Sequence, residues 1–227
     1  MTGTALRRDD AATRARVLRA ATVLFAERGF HGTKVRDIAE RAGANVAAGH
    51  YHFGSKRDLY VEVLRTTFAE IRETLHRGGV APNPAALDRM SRAELEALLE
   101  RRVGVMLSTL LGPPPSLHGA LMQREMLDPS DALPLVVSEF VQPMIAETGD
   151  IVRRLSPGLD EEHLTWAVAS IMGQVIFYRF TMPASLRVLG LESFTPAYLR
   201  RLAAHIGAFS AGGLAKGAKT VRRSRAR

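Results

Sequence analysis

The stretch Gly43-Ala44-Asn45-Val46-Ala47-Ala48-Gly49-His50-Tyr51-His52-Phe53-Gly54-Ser55-Lys56 gathers the side chains of this chain best suited to chemistry. Its first half is small and apolar. Its second half carries imidazole, phenol and ammonium groups, all able to donate to phosphate oxygens. It follows a short amphipathic segment, Thr33 to Ala42, across a glycine turn. Two short helices joined in this way are the unit that places one helix in the DNA major groove. A helix small on one side can approach base edges closely, while the donors behind it grip the backbone.

Other chemistries find little support. The chain has no cysteine, so disulfides, thiolate catalysis and Cys-based zinc sites are excluded. His50 and His52 are two residues apart, about 200° around a helix, and cannot share a metal ion. No HExxH pattern accompanies them. Asp37 with Glu40, and Glu161 with Glu162, read as exposed helix charges rather than acid–base pairs. No catalytic residue, metal site or cofactor is expected.

The elements that must position the Gly43–Lys56 stretch are helices throughout. Helical periodicity runs through nearly every segment and no alternating strand pattern emerges. A first helix is expected from Asp10 to Arg28, with Val17, Ala21, Leu24 and Phe25 as its apolar stripe and Gly29 as its cap. Thr33 is expected to cap the next helix, Asn45 the one after it, and Ser55 a long helix reaching about Arg77. Residues 78–91 read as a loop. Ser91 with Glu94 spells a capping box for a helix ending near Leu111. A short helix follows over 116–127. A longer one, from Pro129 and Ser130 to about Leu155, is expected to kink at Pro143. Asp160 caps a helix to about Thr181. Thr195 with Pro196 opens the last, expected to end at Gly212-Gly213.

The 227 residues, 46% of them hydrophobic, suffice for one or two packed domains. The net charge of +8 is unevenly spread: residues 1–57 carry +6, residues 58–215 carry −4 and residues 216–227 carry +6. A cationic head on a mildly acidic body points to a polyanion bound at one end. The polar start carries no apolar core of a signal peptide, and the most apolar run, Leu164 to Phe180, contains Gln174 and Arg179. No membrane segment is expected, and a cytoplasmic location is the default.

From Asp10 to Leu64 the chain resembles the DNA-binding domain of the tetracycline-repressor (TetR) family of bacterial regulators. The positions that carry the resemblance are Ala21, Phe25, Gly29, Thr33, Ile38, Ala39, Ala42-Gly43, Tyr51, His52-Phe53, Ser55-Lys56 and Leu59. The remainder, from about Arg101 to Leu214, is similar to the CecR-type C-terminal domain of a TetR branch linked to chloramphenicol and cefoperazone sensitivity. That similarity rests on Asn45-Val46-Ala47-Ala48, Arg124-Glu125-Met126-Leu127-Asp128-Pro129, Gly173-Gln174, Tyr178-Arg179, His205 and Phe209-Ser210-Ala211. The implied architecture is all-α: a three-helix helix-turn-helix domain over 1–57, a helical ligand-binding and dimerisation domain over 58–214, and a basic disordered tail over 215–227. One departure stands out. Gly49 and His50 occupy positions where most of the family has a large aliphatic residue and a tyrosine.

The resemblance implies site residues. Val46, Ala47, Ala48 and Tyr51 match base-facing positions, which favours thymine-methyl contact and few hydrogen bonds from that helix. Arg36 matches a position able to read a guanine. His50, His52 and Lys56 match phosphate-facing positions; Thr33, at a helix N-terminus, can offer its hydroxyl and nearby backbone N–H groups, with Lys34 and Asn45 as additions. For Thr33 and Asn45 plain helix capping is the structural alternative. For Lys56 it is a solvated lysine at a helix start.

One short recognition helix reads little sequence, so a homodimer on double-stranded operator DNA is implied. Ala169, Gly173, Ala204, Ala208 and Gly212 are expected to form the dimer interface, although small residues serve intramolecular packing equally well. A small hydrophobic or amphipathic ligand is implied for the second domain, with His118, Met122, Gln123, Arg124, Met126, Gln174, Tyr178 and Arg179 as candidate contacts. Methionines at such positions are more often plain core. The expected function is a homodimeric repressor released from its operator by that ligand. The alternatives are a helix-turn-helix regulator controlled by a protein partner without a small-molecule pocket, and an all-α enzyme or adaptor with an incidental helix-turn-helix.

Overall fold

The structure, a computed structural model, describes residues 2–45, 52–81, 83–112 and 116–224. The described residues are helical with no strand. They comprise α1 (Thr2–Gly32), α2 (Val35–Ala42), α3 (Lys56–Arg77), α4 (Pro84–Leu87), α5 (Arg92–Leu111), α6 (Leu117–Leu127), α7 (Leu133–Val136), α8 (Gln142–Leu155), α9 (Glu161–Phe180), α10 (Met182–Leu189) and α11 (Pro196–Ser224). The chain forms two compact units. Unit 1 joins Met1–Glu70 with Leu117–Val137, and unit 2 joins Ile71–Ser116 with Ser138–Arg227.

Unit 1 is built on the stripe Val17, Ala20, Ala21, Leu24 and Phe25 of α1, all buried. Ile38 and Ala39 of α2 and Leu59, Val63 and Phe68 of α3 are buried as well. The Phe25 and Tyr60 rings meet edge-on at 4.7 Å, and Phe30 lies 5.0 Å from Tyr60. Edge-on pairs set the positive rim of one ring against the negative face of the other. The helical path breaks at Gly29, whose φ of 72° suits a residue without Cβ. The first helix therefore breaks at Gly29, where its end was expected, continues for one further turn to Gly32, and starts at Thr2 rather than Asp10. Thr33 does not cap α2. Its buried hydroxyl donates to the carbonyls of Leu24 (3.1 Å) and Gly29 (2.7 Å), satisfying acceptors freed at the break, and Lys34 is the N-cap residue.

Unit 2 has one apolar core contributed by α5, α8, α9 and α11. Close approach of α11 to α5 depends on Gly207, where a Cβ would stand 3.0 Å from Glu100 Cβ. Local capping rules placed several starts. Ser55 bonds the Asp58 backbone N–H at 3.1 Å, Ser91 and Glu94 complete a capping box, and Asp160 accepts from the His163 N–H at 2.9 Å. The Tyr198 N–H donates to Thr195 Oγ1 at 3.2 Å.

Further expectations need correction. Within the expected loop, Asn83 caps the short helix α4. Pro143 does not kink one long helix. The segment is α7, a π-helical turn over Val137–Val141, then α8 with Pro143 in its first turn. Proline has no N–H for the carbonyl four residues back, and the Arg72 guanidinium bonds that carbonyl, Glu139 O, at 3.3 Å. Helix α10 was not foreseen; it follows α9 directly, with Pro183 in its first turn and Gly190 closing it in the left-handed conformation. Finally, α11 passes through Gly212-Gly213 and runs to Ser224, where a disordered tail was expected from residue 215. Glycine in a helix costs about 1 kcal/mol. Beyond the pair, Leu214 is buried and its carbonyl accepts from Ser156 Oγ at 2.7 Å, which docks the helix past the glycines.

Candidate nucleic-acid interface and regulatory site

The expected recognition elements begin at α2. It ends at Gly43, whose φ of 59° and ψ of 39° are the left-handed values that let a chain turn sharply out of a helix. The expected base-facing and phosphate-facing residues Val46, Ala47, Ala48, His50 and Tyr51 lie outside the described residues, as does Gly49. The residues on either side are described. Lys34 and Arg36, at the start of α2, are exposed, as is Asn45 after the turn. His52 and Lys56 are half-buried. Thr33 is different: its side chain is inside, and what remains for an anion at that end is backbone N–H groups.

Lys56 opens α3, where the helix dipole disfavours a cation. Its ammonium lies 4.3 Å above the centre of the Phe30 ring, an attraction that offsets the dipole, and partial burial pushes its pKa down. Arg14 similarly stacks over Phe53 at 4.9 Å and pairs with Glu62 at 2.6 Å, while Arg16 Nε reaches the Ala42 carbonyl at 3.3 Å. These contacts attach α1 and α3 to the rim of the turn. Arg28 and Asp37 form a 2.9 Å pair, so Asp37 is an exposed structural charge.

The segment Leu117–Val137 packs in unit 1, chiefly α6 against α1. Glu125 is its anchor. The buried Tyr60 hydroxyl donates to Glu125 Oε2 at 2.7 Å, and Ser130 donates to Oε1 through both N–H and Oγ at 3.1 Å. The Arg124 guanidinium caps the Glu27 carbonyl at 2.9 Å. Burial, joined by the Glu125 bond and charge, pushes the Tyr60 pKa far up. Sequence reasoning noticed the Arg124–Pro129 string and assigned Arg124 to a ligand; its partners here are structural. His118 pairs with Glu70 at 2.6 Å, Met122 is buried and Met126 is exposed.

The eight ligand candidates are therefore divided. His118, Met122, Gln123, Arg124 and Met126 belong to unit 1, and Gln174, Tyr178 and Arg179 to unit 2. Gln174 lines a cavity of about 500 Å³ between α9 and α11, with His163, Trp166, Phe209, Ser210 and Leu214 among its neighbours. Tyr178 packs edge-on against Phe194 at 6.0 Å, and burial raises its pKa.

Arg179 lies on the inward stripe of α9 with Leu164, Val168, Ile171 and Val175. It is only 8% exposed, and its Nε has no hydrogen-bond partner among the described residues. Burial pushes its pKa down, but a guanidinium keeps its proton in proteins. Arg102 of α5 shows how this protein treats a buried arginine it uses structurally. At 1% exposure its Nε bonds Thr148 Oγ1 (3.2 Å), Nη1 the Val80 carbonyl (2.8 Å) and Nη2 the Glu147 carboxylate (2.8 Å). Sequence reasoning missed Arg102. Its signal was register, since it falls on the apolar row of Leu95, Leu98, Leu99 and Met106. Burying an ion costs about several kcal/mol. A cation in the last turn of a helix gains roughly 0.3–1 kcal/mol from the dipole, too little to explain Arg179 alone.

All five small residues expected at the dimer interface are exposed. Beside them the same two helices expose Trp166 (55%), Phe177 (55%) and Phe209 (67%). Trp166, Ala169, Gly173 and Phe177 recur at a helical spacing of three or four, as do Phe209 and Gly212, a periodicity readable in the sequence and not used there. Among the described residues, no helix is long and apolar enough to cross a membrane, and no group of three His, Asp or Glu side chains is placed to hold a metal.

Comparison with known proteins gives a consistent family assignment. Residues 91–214 match the family described as HTH-type transcriptional dual regulator CecR, C-terminal domain, and residues 17–63 match the bacterial regulatory proteins of the tetR family. The chain is 26% identical over 187 residues to the HTH-type transcriptional dual regulator CecR of Shigella flexneri, covering 78% of this chain and 80% of that protein. It is 41% identical over 90 residues to the HTH-type transcriptional repressor KstR2 of Rhodococcus jostii, covering 38% of this chain and 39% of that protein. Its fold resembles the crystal structure of the transcriptional regulator FadR from Bacillus subtilis in complex with stearoyl-CoA. That match has a TM-score of 0.64 at 16% identity and covers 88% of this chain and 98% of the other.

Proposed function

The chain belongs to the tetR-family bacterial regulators that carry a CecR-type C-terminal domain, and from that premise we propose that it is a homodimeric repressor released from its operator by a small hydrophobic or amphipathic ligand. Proteins of this family are DNA-binding transcriptional regulators rather than enzymes. The observation that carries the DNA-contact reading is the Gly43 turn within residues 1–57, a segment of net charge +6, with Lys34 and Arg36 exposed on the helix before it. Residues 46–51 enter the major groove, with Val46, Ala47, Ala48 and Tyr51 against base edges and Arg36 reading a guanine. His50, His52, Lys56, Lys34 and the backbone N–H groups near Thr33 hold phosphates, and Asn45 borders them.

The exposed aromatics and small residues of α9 and α11 support a dimer with two-fold symmetry, in which each copy presents the same patch to the other. The groove beside Gln174 shares Trp166 and Phe209 with that patch; a small-molecule effector is supported over a protein partner by the CecR-type C-terminal domain and by the ligand-bound structural neighbour. The binding of stearoyl-CoA by the structural neighbour FadR is in keeping with an amphipathic effector. The ligand acts by preferring a dimer whose heads no longer match the operator spacing; a ligand without such a preference shifts nothing.

Footprinting on the DNA upstream of the chain's own gene tests this reading. Two protected half-sites, with centres about 34–36 Å apart or somewhat more, are expected. A single short protected site, or uniform weak coverage, would contradict it.

A further inference from the structure

We propose that Arg179 is the receptor for the carboxylate of a small monoanionic amphiphile, bound within unit 2. The inference rests on the ligand-responsive reading above and names the chemistry of the ligand. Three observations carry it. The side chain is more than nine-tenths buried on the inward stripe of α9, its Nε has no partner among the described residues, and it cannot discharge itself by losing a proton. A buried charge in a folded protein is paired, as Arg102 is in the same unit through all three of its nitrogens.

The geometry favours a carboxylate. Nε has no protein acceptor, and a planar carboxylate takes the edge of the guanidinium fork that contains it with two parallel N–H···O bonds. The charge balance agrees. One guanidinium neutralises one monoanion, whereas a phosphate group near −2 would leave net charge in the interior. Val175, Ile171 and Val168 precede Arg179 on the same buried stripe, so its surroundings are apolar. Binding involves no covalent step. The carboxylate supplies the acceptor that the buried Nε lacks.

The test uses the full chain with octanoate, 1-octanol and inorganic phosphate as probes, on wild type, Arg179→Met and Arg179→Lys, with melting temperature as the readout and operator binding in parallel. Octanoate is expected to raise the wild-type Tm saturably, by about 5–10 °C at a hundredfold excess over Kd. Octanol and phosphate are expected to leave it unchanged. Arg179→Met should lose the octanoate response while melting no lower than wild type without ligand, because it exchanges an unpaired buried charge for an apolar side chain. Arg179→Lys should respond more weakly than wild type, since it keeps the charge and loses the fork. Equal shifts with octanoate and octanol, a shift with phosphate alone, an octanoate response retained in Arg179→Met, or a lower ligand-free Tm for that variant would overturn the proposal. If operator binding is normal while the octanoate arm is flat, this inference falls and the repressor reading stands. If wild type binds no operator, that broader reading falls instead.

Discussion

The buried Tyr60 hydroxyl donates to Glu125 Oε2 at 2.7 Å, joining the long helix α3 to a stretch 65 residues further along. Glu125 falls inside the CecR-type match over 91–214, yet it packs with the tetR-type head in unit 1. The two family modules therefore interpenetrate: part of the second is structural material for the first.

Replacing Tyr60 by Phe leaves the Glu125 carboxylate short of a donor in a buried site. A loss of roughly 1–3 kcal/mol is expected in urea unfolding. The pH dependence has a definite sign. The Tyr60 pKa is raised in the folded state, chiefly by burial, so its contribution is full below the unfolded tyrosine value of about 10 and is lost as pH rises above it. Wild type should lose stability more steeply than Tyr60→Phe above that pH, and parallel curves would rule out the assignment.

Gly207 and Gly212 lie on one helix and should respond oppositely to alanine. At Gly207 the added carbon meets Glu100 at 3.0 Å, and overpacking of this kind costs about 1–3 kcal/mol. At Gly212 nothing lies within 4 Å in the single chain, so helix propensity should stabilise the subunit by up to about 1 kcal/mol. Urea titrations of both variants measure this. If Gly212 lies in the dimer interface, Gly212→Ala should also weaken dimerisation in sedimentation while its fold holds.

The exposed rings of Phe177 and Phe209 offer a more direct test of the dimer. Glutamate at either position should produce folded monomers in sedimentation velocity, with unchanged helical circular dichroism and operator affinity reduced at least tenfold. Dimers persisting in both variants would move the interface elsewhere.

Ser91 tests the local rules. Its hydroxyl bonds Glu94, which with the backbone bond from Ser91 holds that carboxyl below its ordinary range. A lowered carboxyl pKa contributes stability above the unfolded value of about 4.3, lost as pH falls through the folded one. Ser91→Ala should cost about 1 kcal/mol at neutral pH, and the gap to wild type should narrow in acid. An equal gap at pH 7 and pH 2.5 would show that the cap is not carried by the ionised carboxylate.

What could be read in the sequence was local. Ser55, Ser91, Asp160 and Thr195 cap helices because a cap and its N–H lie within three residues. Thr33 was misassigned because its acceptors, at Leu24 and Gly29, arise from a break in the preceding helix. The division of the ligand candidates between two units, and the burial of Arg102 and Arg179, depend on contacts far apart in sequence that no periodicity displays. The aromatic face of α9 and α11 was legible as spacing, but an exposed Trp and a core Trp look alike in a one-dimensional pattern.

Family membership and the exposed cations of α2 lead to recognition of a particular duplex by the cationic head. The measurement that tests it most directly is equilibrium binding of the full chain to its own upstream fragment and to random duplex, at two or more salt concentrations. Binding to the upstream fragment should be at least about 10³-fold tighter than to random DNA. It should weaken with salt at a log–log slope of about −0.9 per phosphate neutralised, and the slope should shrink by about one unit in Lys56→Ala. Equal affinity for both duplexes, from protein shown to be folded and dimeric, would contradict the account.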